Sequence, residues 1–221
     1  MTDINSTDYH DFVIKNGKLI GEFEQMYRKS KDVPWHQDEE RNWLDVRLAV
    51  EMLREHSPFD CICDLGCGLG YFLNILKDNL AKPGCRTIGC EISPTCRKKA
   101  KALFPDSEFI AFDLRKKERA AVRGSTKKNL FSLRSALWYV FPYMKEVVEN
   151  LAYQTKKDDL LLVSQNFPPL VSNFAGKEVI PGPEAVIRWL DSYFKPVKTF
   201  FLEDRRSDNN DNWFIGIFIR R

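Results

Sequence analysis

From about residue 39 onward, the chain alternates between short apolar runs and segments in which apolar residues recur at three- and four-residue steps. The recurring steps are typical of amphipathic helices, and the short runs are typical of buried strands. Alternation of the two predicts a parallel sheet with right-handed crossovers, whose ligands bind at the carboxyl ends of the strands. The predicted helices span residues 39–55, 71–80, 94–104, 142–153 and 184–194, and the predicted strands span residues 59–65, 86–91, 108–112, 128–133, 159–164, 197–202 and 213–220.

The two ends of the chain depart from this alternation. Residues 1–38 show no clear period, so we predict an N-terminal extension or lid at 1–38 followed by one domain at 39–221. The last two strands are joined by a charged loop at 203–212, which predicts a C-terminal hairpin. The register of the strand at 128–133 is left open by its sequence.

The segment Asp64-Leu65-Gly66-Cys67-Gly68-Leu69-Gly70 lies between the first predicted strand and the helix that follows. Glycines let a ligand approach the backbone closely, and a helix N-terminus behind them offers free N–H groups. A dinucleotide site requires G-x-G-x-x-G, but the third glycine position is occupied here by Tyr71. The Asp64 carboxylate would repel a pyrophosphate and can accept a hydrogen bond from an ammonium group. These residues favour a cofactor that carries an amino acid.

This segment resembles the first motif of the class I S-adenosylmethionine-dependent methyltransferases, and a less specific likeness extends from about residue 38 to the C-terminus. The resemblance implies an α/β, Rossmann-like fold with a seven-stranded, mostly parallel sheet. It also implies a C-terminal antiparallel hairpin, helices on both faces and S-adenosyl-L-methionine as the cofactor.

Acidic residues lie at the ends of the first three predicted strands. Glu91 ends the second strand, where a carboxylate can accept hydrogen bonds from both ribose hydroxyls of either cofactor class. The resemblance implies that Asp113 takes the adenine amino group and that apolar neighbours flank the ring. Any one of these carboxylates can instead cap a helix. The predicted cofactor-binding residues are Asp64, Gly66, Cys67, Gly68, Gly70, Glu91, Ile92, Asp113, Leu114 and Ser132.

The resemblance also implies that residues 134–139 lie beside the methionine arm and the substrate, under an N-terminal lid. Arg134 can clamp an anionic substrate group through its planar fork, although a surface ion pair explains it equally well. The aromatic pair after it fits either the core or the pocket. The Asn166-Phe-Pro-Pro segment has a superficial likeness to the motif of nucleic-acid amino methyltransferases, but its order and position differ. The predicted substrate-binding residues are Trp35, Arg134, Trp138, Tyr139 and Asn166.

Methyl transfer to a hydroxyl or a neutral amine needs a base as well as alignment of the reacting atoms. The chain has three histidines, and His36 lies in the predicted lid beside an aromatic residue. We therefore predict His36 as the general base, with Tyr27 as a further candidate.

Composition limits the other possibilities. A net charge of +3 gives no strong argument for nucleic acid or a membrane as partner. No apolar run approaches a membrane span, and the polar N-terminus is unlike a signal peptide, so we expect a cytoplasmic protein. None of the six cysteines forms a C-x-x-C pair, so no metal site is predicted and reduced thiols are expected. The basic runs at 97–101 and 115–128 lack interleaved aromatic residues, which favours solvated helix faces over RNA.

The sequence thus predicts a methyltransferase acting on an oxygen or nitrogen of a small molecule, such as a sugar or another metabolite with an anionic group. The alternatives are an RNA or protein methyltransferase and a non-catalytic scaffold that binds S-adenosylmethionine. The acceptor atom and the oligomeric state are left open.

Overall fold

The computed structural model describes residues 8–15, 18–117, 128–204 and 212–221. Its main sheet has seven strands in the order β5-β4-β3-β6-β7-β9-β8. The strands are β1 (Ile14–Lys15), β2 (Lys18–Leu19), β3 (Phe59–Leu65), β4 (Ala81–Glu91), β5 (Glu108–Ala111), β6 (Asn129–Arg134), β7 (Leu160–Phe167), β8 (Phe194–Leu202) and β9 (Asn212–Arg220). The helices are α1 (Phe23–Lys29), α2 (Leu44–Arg54), α3 (Tyr71–Leu80), α4 (Pro94–Leu103), α5 (Met144–Gln154) and α6 (Pro183–Leu190).

The parallel part of the sheet is centred on β3. This strand pairs in parallel with β4 on one side and with β6 on the other, and β6 pairs in parallel with β7. Nearly every residue of β3 is buried, as expected for a strand covered on both faces. The switch in strand order between β4 and β6 brings the glycine segment after β3 to the position where such sheets bind ligands.

The C-terminal end adds the predicted antiparallel hairpin. β9 inserts between β7 and β8 and pairs antiparallel with both. The seven-stranded, mostly parallel α/β sheet predicted from the sequence is confirmed.

Two apolar layers cover the faces of the sheet. On one face, residues of α2 and α3 such as Leu53 and Leu76 pack with Ile62 of β3. On the other face, residues of α5 and α6 such as Leu151 and Leu190 pack with the strand residues whose side chains point to that face. The alternation of side chains along each strand thus gives the domain two cores.

The N-terminal residues that the structure describes fold against the domain. A short 3₁₀ helix (Tyr9–Phe12) and α1 pack through Phe12, Met26 and Tyr27 on Leu69 and Cys96, and Leu19 of β2 packs on the same cluster. We call residues 8–42 the lid segment. The division between an extension at 1–38 and a domain at 39–221 stays a prediction.

Several predicted boundaries shift. The helix expected at 39–55 begins only at Leu44, because Trp43 is extended (ψ 139°) and the preceding Pro34–Asn42 forms a kinked 3₁₀ segment. Asn166 lies inside β7 instead of following it. Most of the basic run at 115–128 and of the charged loop at 203–212 falls outside the described residues. Within the described ranges, no helix combines the length and apolar character needed to cross a membrane.

Candidate functional site

A cavity of 1320 Å³ lies at the carboxyl ends of β3, β4 and β6, between the sheet and the lid segment. Cavities that hold a single drug-sized ligand typically measure ~300–1,000 Å³. The space is therefore large enough for a cofactor and a second, smaller molecule.

The glycine segment forms one wall of this cavity. Gly66, Gly68 and Gly70 all have positive φ angles, of 76°, 53° and 86°. A Cβ at Gly68 would lie 2.6 Å from the Gln37 amide nitrogen, and one at Gly70 would lie 2.9 Å from the Phe109 ring. The backbone conformation favours glycine at both positions, and at Gly70 the Phe109 ring also leaves no space for a Cβ, whereas at Gly68 the end of the Gln37 side chain would have to move.

Gln37 holds the lid segment on this turn. The backbone N–H of Leu69 donates to Gln37 Oε1 at 2.8 Å, while the N–H of Gly68 donates to Glu91 Oε2 at 3.2 Å. Sequence reasoning missed Gln37. The only available signal was its place next to the predicted lid residues, because no motif marks a glutamine that bonds a backbone 32 positions away.

Asp64 is one of the two most buried carboxylates of the cavity wall, with 2% of its surface exposed, as for Asp45. The Ser132 hydroxyl donates to Asp64 Oδ1 at 2.7 Å, as the parallel register that pairs these two residues allows. Burial raises the pKa of Asp64 to about 6, against the opposing effects of the Ser132 hydrogen bond and the Arg134 charge. A buried carboxylate with one hydrogen bond from a hydroxyl is suited to a cationic ligand group.

Glu91 and Asp113 line the cavity at the ends of the neighbouring strands. Burial raises the pKa of Glu91, whose Oε1 accepts from the Ser93 N–H at 2.8 Å. The Arg115 side chain binds Asp113 through two hydrogen bonds of 2.8 Å and lowers the pKa of that carboxyl. The two apolar residues among the predicted cofactor-binding residues differ in exposure, since Ile92 is 43% exposed and Leu114 is buried.

Arg134 occupies an environment that neither sequence interpretation anticipated. Only 7% of its side chain is exposed, so the surface ion pair is wrong. Its Nη1 donates to Glu40 Oε1 at 2.7 Å and its Nη2 donates to Asp45 Oδ2 at 2.8 Å. Both terminal nitrogens are thus bound to carboxylates of the chain itself, which disfavours the predicted clamp on an anionic substrate. Three rings surround the guanidinium at 5.3, 5.4 and 4.8 Å, those of Trp43, Phe72 and Trp213.

Three aromatic side chains of the lid segment cluster with Tyr139 at the cavity. Trp35 lies 5.5 Å from Tyr9 and 5.7 Å from Tyr139 between ring centroids, and Phe23 meets Tyr139 edge-on at 5.2 Å. We call Tyr9, Phe23, Trp35 and Tyr139 the aromatic roof. Trp35 and His36 both have positive φ angles, of 55° and 49°, a conformation that costs energy in residues with a Cβ.

The two predicted bases differ in surroundings. His36 is exposed at the edge of the cavity. Tyr27 is buried, and burial raises its pKa well above 10, so the phenol stays protonated at neutral pH. This environment favours Tyr27 as a hydrogen-bonding group and disfavours it as a base.

Most of the other predicted residues also reach the cavity. Trp138 lines it with its Nε1 donating to the carbonyl oxygen of Asn166 at 2.9 Å. Gly70 and Ser132 lie behind the wall, Gly70 as the first residue before α3 and Ser132 in contact with Asp64. The lining residues that sequence analysis missed include Tyr9, Phe23, Gln37, Glu40, Asp45, Phe72 and Trp213.

Known proteins with the same architecture include several methyltransferases. A family model described as a methyltransferase domain matches residues 35–217. No curated protein sequence matches the chain significantly.

Three solved structures illustrate the likeness of fold. N-methyltransferase NodS from Bradyrhizobium japonicum WM9, in complex with S-adenosyl-L-homocysteine, has 15% identity and a TM-score of 0.64 over 89% of this chain and 97% of that chain. Magnesium protoporphyrin IX methyltransferase (ChlM) from Synechocystis PCC 6803, with bound S-adenosylhomocysteine, has 17% identity and a TM-score of 0.58 over 89% and 92%. A TehB-like S-adenosylmethionine-dependent methyltransferase from Corynebacterium glutamicum has 14% identity and a TM-score of 0.53 over 85% and 100%.

Proposed function

The chain belongs to the class I S-adenosylmethionine-dependent methyltransferases, and from that premise we propose that it methylates an oxygen or nitrogen of a small molecule. The observation that carries the proposal is the buried Asp64 carboxylate beside a glycine turn, in a cavity with space for two ligands. The aromatic roof over that cavity suits an acceptor that enters it as a separate small molecule.

S-adenosylmethionine supplies a methyl group on a positively charged sulfur. We assign Asp64 to its ammonium group, Glu91 to its ribose hydroxyls and Asp113 to its adenine. Gly66 and Gly68 have no side chain to obstruct the approach of the ligand to the backbone. Ser132 orients the Asp64 carboxylate through their hydrogen bond.

The chain contributes to the reaction mainly by alignment and by exclusion of water. The aromatic roof covers the cavity with apolar surface. We propose that His36 takes the proton released by the acceptor, because its side chain is exposed at the cavity edge. Tyr27 stays protonated and donates hydrogen bonds.

The cellular compartment is also a proposal. All six cysteines are free thiols, which supports a reducing compartment such as the cytoplasm.

Calorimetry and thermal unfolding with S-adenosylhomocysteine and with NAD test the proposed function. At 100 times its Kd, S-adenosylhomocysteine should raise the free energy of unfolding by about 2.7 kcal/mol, whereas NAD should have no effect. Binding of NAD without S-adenosylhomocysteine would contradict the proposal. Binding of S-adenosylmethionine with no methyl transfer to a panel of metabolites would favour the scaffold alternative.

A further inference from the structure

We propose that the methyl acceptor is an amine of neutral or positive charge on a flat apolar body, and that the cavity rejects acceptors bearing a carboxylate or phosphate. This inference rests on the proposed function and specifies the acceptor of the same site. It departs from the expectation that the substrate is anionic.

The first argument is the charge of the cavity wall. Apart from Glu203 and Asp204, which border residues outside the described ranges, the described lining residues include five carboxylates and two guanidiniums, with no lysine. An anionic acceptor would therefore lose its hydration in a cavity with an excess of like charge, which is unfavourable. The five carboxylates are Glu40, Asp45, Asp64, Glu91 and Asp113.

The second argument is that both guanidiniums are already neutralised. Arg134 binds Glu40 and Asp45 through its two terminal nitrogens, and its Nε is buried. Arg115 binds both oxygens of Asp113, which places it on the side assigned to adenine. To bind an acid, Arg134 would have to release a buried carboxylate of the chain, which is costly, and Arg115 would have to give up its two side-chain hydrogen bonds to Asp113.

The third argument is the aromatic roof. Aromatic faces carry negative charge density and attract ammonium groups, while their area favours flat apolar bodies. The Trp35 ring lies 5.5 Å from that of Tyr9 and 5.7 Å from that of Tyr139, and all three rings line the cavity. This roof and the acidic wall select the same kind of molecule by different physical effects.

Methyl transfer to such an acceptor takes place in two steps. An ammonium acceptor first gives a proton to His36, the base proposed above. The nitrogen lone pair then forms the N–C bond as the C–S bond breaks, and the electron pair of the broken bond stays on sulfur.

The test is calorimetric titration of the wild-type chain, saturated with S-adenosylhomocysteine, with phenethylamine and with hydrocinnamate. The two probes share a phenyl ring and a two-carbon chain but carry opposite charges. Phenethylamine should bind at least about ten-fold more tightly. Equal or tighter binding of hydrocinnamate, or no binding of either probe, would overturn the inference.

A variant links the preference to the roof. Glycine accepts the positive φ of residue 35, so Trp35→Gly removes the ring without adding backbone strain. We expect this variant to bind phenethylamine at least about five-fold more weakly. Phe200→Leu, at a 40% exposed position on the edge strand β8, is the matched loss of an aromatic ring and should leave phenethylamine binding unchanged. Equal losses of phenethylamine affinity in both variants would contradict a role of the aromatic roof in binding the acceptor.

Titration with S-adenosylhomocysteine alone, before either probe is added, separates the two proposals. If wild-type protein does not bind S-adenosylhomocysteine, the proposed function fails. If it binds S-adenosylhomocysteine but prefers hydrocinnamate, only the inference about the acceptor fails.

Discussion

At the scale of single residues, the cavity is defined by a carboxylate that is costly to bury. Asp64 lies near the end of a strand that is covered on both faces, and it accepts a hydrogen bond from the Ser132 hydroxyl. Burial raises its pKa to about 6, which is well above the ordinary value of 3.8. A cationic ligand group beside Asp64 would favour the ionised carboxylate and be favoured by it.

This raised pKa predicts how cofactor binding depends on pH. Above about pH 6 the carboxylate is ionised and the Kd for S-adenosylhomocysteine should be constant, whereas below it the Kd should rise about ten-fold per pH unit as Asp64 takes up a proton. Calorimetry over this range checks the slope. Asp64→Asn should bind more weakly and lose the dependence on pH, and a wild-type Kd that is flat through pH 6 would contradict the assignment.

The glycines allow a second prediction with a matched control. Gly84 has a φ of 76° and nothing within 4 Å of its ideal Cβ, so Gly84→Ala should cost only the backbone strain of about 1–2 kcal/mol. Gly68→Ala should cost that strain and also weaken S-adenosylhomocysteine binding, because its Cβ meets the Gln37 side chain. Urea unfolding and calorimetry measure the two effects. Equal loss of cofactor binding in both variants would show that the clash with Gln37 is unimportant.

At the scale of elements, the lid segment is tied to the start of α4. Glu24 in α1 accepts hydrogen bonds from the Ser93 hydroxyl at 2.6 Å and from the Thr95 hydroxyl at 2.5 Å. Ser93 also caps α4, accepting from the N–H of Cys96 at 3.1 Å, while its own N–H binds Glu91. The Glu24 carboxylate thus joins the lid segment to Ser93, which in turn positions Glu91, the residue predicted to bind the ribose.

Removal of this connection should loosen the lid without unfolding the domain. We expect Glu24→Ala to speed amide hydrogen exchange in α1 by about 10–100-fold, since hydrogen bonds to a charged group contribute ~1.5–3 kcal/mol. The exposed Gln25 in the same helix provides the control, because Gln25→Ala shortens a side chain that faces solvent. Unchanged exchange in Glu24→Ala would show that apolar packing alone holds the lid.

At the scale of the whole molecule, Arg134 joins three parts of the chain. It lies at the end of β6 and binds Glu40 of the lid segment and Asp45 of α2, which are 94 and 89 positions away. Burial raises the pKa of Glu40 to about 7 in spite of the arginine. The Arg134 charge thus offsets only part of the cost of burying the Glu40 carboxylate.

Arg134→Met should destabilise the fold by about 3–5 kcal/mol, because it leaves two buried carboxylates without their partner. Adding Glu40→Gln and Asp45→Asn should recover much of that loss. Arg41→Met breaks an exposed ion pair with Asp78 and should cost no more than about 1 kcal/mol. Urea unfolding at neutral pH compares the four proteins, and a small loss in Arg134→Met alone would contradict the account of this cluster.

The sequence by itself determined the α/β fold, the limits of β3 and α3, and the place of the glycine turn. Those features depend on hydrophobic period and on turn chemistry, which are local properties of the chain. The strand-end carboxylates Asp64, Glu91 and Asp113 could be located for the same reason, since parallel strands bring their carboxyl ends to one edge.

Only the tertiary structure decided what surrounds these groups. The sequence could not show that Gln37 meets the glycine turn, that Arg134 is neutralised by Glu40 and Asp45, or that Tyr27 is buried and stays protonated. Each of these properties arises from contacts between residues far apart in the chain, which leave no periodic signal. The charge that an acceptor meets in the cavity is the sum of such contacts, and so it follows from the fold and not from the order of residues.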